Sequence, residues 1–195
     1  AAYAGDLVHA EEVASDLLIL AERHGIQSAA IDAWQALAVV RQTRGEAGQA
    51  LFARREAARA AEQCGLKTRE ATLTINVGFA LTTLGVKVEA RNAIDAGIAL
   101  AHAVGSAGTV RHGKMNLLCW AATFGSDPST DALLEEARKT ADNASLGDWI
   151  ASDRTTLGTL FYRGAELLRM DQPGASAEQA RKLLSISVDG YRATN

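Results

Sequence analysis

The chain has 195 residues, 48% apolar and 22% charged, which places it among globular chains and excludes a disordered polar tract. A formal net charge of −3 supplies no basic footprint for nucleic acid, and 5% aromatics leave a core of small aliphatic side chains. The longest apolar run, 117–122, is far too short to span a bilayer, and 1–6 lack the basic start and long apolar stretch of a signal peptide.

Glycine falls at positions 25, 45, 65, 85, 105 and 125, one every twenty residues, and the series ends at Gly147 after a two-residue slip. Each follows a run rich in Ala, Leu, Glu and Arg. Glycine just past such a run reads as a helix C-cap, because it takes the left-handed conformation without a steric cost. The stops divide the chain into nine predicted helices: 5–24, 28–44, 47–64, 67–84, 87–104, 109–124, 129–146, 149–170 and 175–193. The middle helices are each about 25 Å long at 1.5 Å per residue. Links this short make neighbouring helices antiparallel.

The third helix carries Arg54, Arg55, Glu56, Arg59 and Glu62, a charge run that reads as a solvated face with ion pairs. The fourth repeats Leu73, Val77, Leu81 and Leu84 at helical spacing, and the fifth repeats Ala90, Ile94, Ile98 and Ala101. Both stripes are expected core. Segment 125–130 contains Pro128, suited to a first helical position, and accounts for the slip to Gly147. The turn 171–174 makes the last hairpin irregular. The expectation is an all-α, right-handed array of nine helices. It forms one domain over 1–195, cut from a longer polypeptide, since it begins without Met inside a repeat.

Chemistry-bearing motifs are sparse. Residues 108–115 nearly match a phosphate-binding loop, but Met115 stands where a hydroxyl would hold magnesium, and a helix rather than a strand precedes it. Gly108 and Gly113 are read instead as parts of an interhelix turn and a helix start. His9, His24, His102 and His112 form no metal-binding spacing, and His24 and His102 fall near helix C-termini, where the dipole favours a cation. Glu135 and Glu136 are adjacent on a helix and point apart, a poor catalytic pair. No GxSxG-type signature occurs. Neither catalytic residues, a metal nor a cofactor is expected. Cys64 and Cys119 sit on different helices without a CxxC pair, so a reduced, cytoplasmic setting is the simpler reading.

Two helices make a unit of forty residues. Aligned on Gly45, Gly85 and Gly125, the first unit carries Trp34, Leu37, Ala38, Ala50 and Ala57. The second carries Asn76, Val77, Gly78, Ala90 and Gly97; the third Asn116, Leu117 and Leu118; a fourth Leu157, Gly158 and Phe161. This pattern resembles the tetratricopeptide repeat, over roughly residues 28–195, with 5–24 as the second helix of a truncated unit. The period departs from the common 34, the closing proline is absent, and Leu118 stands where a small residue is usual. The longer form is similar to sensor arrays of large bacterial signalling ATPases and transcription activators.

The resemblance implies an α-solenoid whose first helices line a concave groove. Carried over, the groove residues are Asp32, Gln35, Val39 and Gln42, then Thr72, Ile75, Phe79 and Thr82, then His112, Met115, Cys119 and Ala122, then Ser152, Thr155, Thr159 and Tyr162. The middle of the set is apolar, which suits a peptide or helix with apolar anchors. The alternative is that Phe79 and Met115 pack against the neighbouring repeat. The resemblance implies a non-catalytic protein- or peptide-binding module, regulatory or sensory, with neither nucleic acid nor membrane as partner. A second reading is a self-association scaffold, with Leu17 and Leu20 of the first helix pairing with another copy. An enzyme is the third.

Overall fold

The computed structural model describes residues 6–125 together with Pro128 and Ala132, both helical. Apart from those two positions, the helices expected beyond residue 125 lie outside the described residues. Six helices follow one another: α1 (Leu7–His24), α2 (Gln27–Thr43), α3 (Ala47–Gln63), α4 (Lys67–Thr83), α5 (Lys87–Ala103) and α6 (Ala107–Phe124). No strand occurs among the described residues.

The period of twenty is a period of helix stops. Gly25, Gly45, Gly65, Gly85, Gly105 and Gly125 all have positive φ, between 66° and 91°. At the first five the same pair of backbone bonds closes the helix. At Gly65, the glycine N–H donates to Glu62 O at 2.9 Å and Leu66 N–H reaches back to Ala61 O at 3.0 Å. This is the Schellman arrangement, which satisfies carbonyls left open at a helix end. The residue after each glycine also starts the next helix: Ile26, Glu46, Leu66 and Val86 are N-caps without a side-chain cap bond. One residue thus ends one helix and begins another, which keeps the links short and equal.

The chain divides into two compact units, Ala1–Gly113 and Lys114–Asn195, with the division inside α6. In the first unit each helix packs on the next, and the α2–α3 and α4–α5 contacts are more extensive than α1–α2 and α3–α4. Hairpins are therefore the structural units. Small residues form much of the core. Ala57, Ala60 and Ala61 surround Ile31 and Leu73, while Ala14, Leu37, Ala38 and Ala53 form a second cluster, and Trp34 packs on both. Fully burying one such isoleucine or leucine contributes about 1.5–3 kcal/mol.

The α4–α5 crossing is the tightest feature. Ala71, Ile75 and Gly78 on α4 have the same spacing as Ala90, Ile94 and Gly97 on α5. A Cβ on Gly78 would meet Ile94 Cγ1 at 2.4 Å and Ala90 O at 2.9 Å; one on Gly97 would meet Ile75 Cγ1 at 2.5 Å and Ala71 O at 2.8 Å. Each isoleucine fills the notch left by the other helix's glycine, so the pair packs about a local two-fold axis. Forty residues earlier the glycine positions are Ala38 and Ala57, both buried. The unit of forty recurs in a side-chain bond as well. Thr43, Thr83 and Thr123 donate their hydroxyls to the carbonyls of Val39, Phe79 and Cys119, at 2.8, 3.1 and 2.9 Å.

In the second unit, the 114–124 part of α6 buries Met115, Leu118, Cys119, Trp120 and Ala121, and the Trp120 and Phe124 rings meet at a tilt of 54° with centroids 5.7 Å apart.

Three expectations need adjustment. Leu84 follows the last turn of α4 as its C-cap and is exposed rather than core. Gly108 and Gly113 belong to α6 itself, which starts at Ala107; Gly113 is a mid-helix contact, where an added Cβ would meet Ile98 Cγ1 at 2.2 Å. Arg54 turns from the charged face of α3 to hydrogen-bond the Gln42 side chain on α2, while Glu56 and Arg59 form the expected surface ion pair.

Candidate functional site

Side chains link α2, α4 and the start of α6 directly, without the intervening second helices. The Arg69 guanidinium on α4 pairs with the Asp32 carboxylate on α2. Thr72 and Thr109 share a hydrogen bond at 3.3 Å, and Ser106 Oγ lies 2.9 Å from the same Thr109 hydroxyl. His112 Nε2 meets Asn76 Oδ1 at 2.9 Å. These interhelix pairs are separated by 37, 37 and 36 residues, so each joins a first helix to the corresponding helix of the next hairpin. A continuous face made from one helix per hairpin results.

Helical spacing defines the open stripe of this face. On α2 it is Asp32, Ala36, Val39 and Thr43; on α4 it is Thr72, Asn76, Phe79 and Thr83. Asp32, Ala36, Thr43 and Thr83 are exposed, and Val39, Thr72, Asn76 and Phe79 are half-buried. Hydroxyls, an amide and a carboxylate surround three apolar side chains, Ala36, Val39 and Phe79, so the face offers polar contacts to a peptide backbone and apolar footing for its side chains.

The structure separates the residues expected to line the groove. Gln35, Val39 and Phe79 are half-buried and within reach of solvent. Ile75 is fully buried, because it occupies the notch at Gly97 and its Cδ1 approaches the Gly113 position at 3.2 Å. Met115 and Cys119 are 2% and 1% exposed within the second unit. Ile75, Met115 and Cys119 are thus each buried, Ile75 in the first unit and the other two in the second. Thr82 is also buried and donates to Gly78 O at 2.9 Å, while Gln42 accepts from Arg54. Ser152, Thr155, Thr159 and Tyr162 lie outside the described residues.

Sequence reasoning missed Asn76, Ala36, Thr43 and Thr83. The assigned stripe ran 72, 75, 79, 82, and the open one runs 72, 76, 79, 83. Composition held the signal, since Asn76 beside Ile75 marks which neighbour faces water.

Titratable groups do not converge here. No cluster of three or more His, Cys, Asp or Glu able to hold a metal occurs among the described residues. Cys64 is half-buried and Cys119 buried, and the two form no disulfide. Lys67 has its pKa raised by the Glu70 carboxylate, which accepts its hydrogen bond at 2.8 Å. His24 and His102 occupy the last turns of α1 and α5 as expected. Residues 107–115 are helical, so the near-match to a phosphate loop contains no loop. Among the described residues, no helix is long and apolar enough to cross a membrane. Comparison with protein-family models, curated proteins and solved structures finds no match.

Proposed function

We propose that this chain is a non-catalytic protein- or peptide-binding scaffold, an α-solenoid of tetratricopeptide-like hairpins serving as the interaction module of a larger signalling or transcription-regulating protein. The observation that carries the reading is the face joined by Asp32–Arg69, Thr72–Thr109 and Asn76–His112. A repeat array that brings one helix from every hairpin to a common surface presents an extended site for a chain-like ligand. The forty-residue recurrence of small crossing residues and of the Thr43, Thr83 and Thr123 bonds supports the solenoid part of the reading. Phe79 is the anchor of the site, because it is the one aromatic side chain of the open stripes and remains half-buried.

Panning a random peptide display library against the chain tests the reading. Enriched peptides should share an apolar residue and lose binding to Phe79→Ser and Thr83→Lys variants. They should keep it to Phe52→Ser, a change at an exposed position on α3. Failure to enrich any peptide, or enrichment insensitive to Phe79 and Thr83, would refute it.

A further inference from the structure

We draw no further inference here: the strongest candidate, the exposed apolar flank of α1 formed by Val13, Leu17 and Leu20, carries none because nothing in the structure shows what covers it.

Discussion

Gly78 and Ile94 lie so close that one added carbon on the glycine would stand 2.4 Å from the isoleucine Cγ1. Behind that side chain is backbone, Ala90 O at 2.9 Å and Ile94 N at 3.0 Å from the same point, so rotating Ile94 does not make room. Gly78→Val must push α4 from α5 and adds a poorer helix former. It is expected to cost about 2–4 kcal/mol, read from chemical denaturation. Gly97→Ala should destabilise too, although alanine is the better helix former, because its Cβ meets Ala71 O at 2.8 Å. An unchanged midpoint in both would show that the crossing is looser than described.

Glycines elsewhere obey a different rule. Gly65 has open space around it but a φ of +67°, so Gly65→Ala should cost about 1–2 kcal/mol through backbone strain. Gly48, in the first turn of α3, has equally open space and no positive φ. Gly48→Ala should stabilise by about 0.4–1 kcal/mol by restricting the unfolded chain. Thermal melts of the two variants should move in opposite directions; a shared direction would contradict the capping account.

The Asn76–His112 bond predicts an energetic link between α4 and α6. A double-mutant cycle of Asn76→Ala and His112→Ala should give a coupling of about 0.5–1.5 kcal/mol. Strict additivity would mean that the 2.9 Å contact contributes nothing to the face.

How much of this was legible in sequence follows from which residues carry it. The glycines past each helix stand alone in φ space, so their spacing announced six described helices with boundaries within two residues. The hairpin unit was legible for a different reason, the small residues Ala38, Gly78, Ala57 and Gly97 that close helix crossings require. Orientation about each helix axis was not. In an alanine-rich helix nearly every side chain fits a core, and the rotation that separates Ile75 from Asn76 is one residue. What decides it is the notch at Gly97, on the next helix and more than twenty residues away, which has no mark in the local pattern of α4. The polar links Asp32–Arg69 and Thr72–Thr109 are likewise long-range and invisible to periodicity.

Ile75 and Phe79 are one helical turn apart and should behave differently. Ile75→Ala removes a fully buried side chain and should cost about 2–5 kcal/mol of stability. Phe79→Ser alters a half-buried one and should cost about 1–2 kcal/mol. Urea unfolding of both variants checks the order; a greater loss at Phe79 would place it in the core and remove it from the face.

The central claim is that the surface shared by α2 and α4 binds a partner, and Phe79→Ser tests it most directly. With a display-selected peptide as ligand, affinity should fall about tenfold or more, equivalent to at least about 1.4 kcal/mol, while the helical circular dichroism signal persists. Unchanged affinity in a folded Phe79→Ser variant would contradict the account.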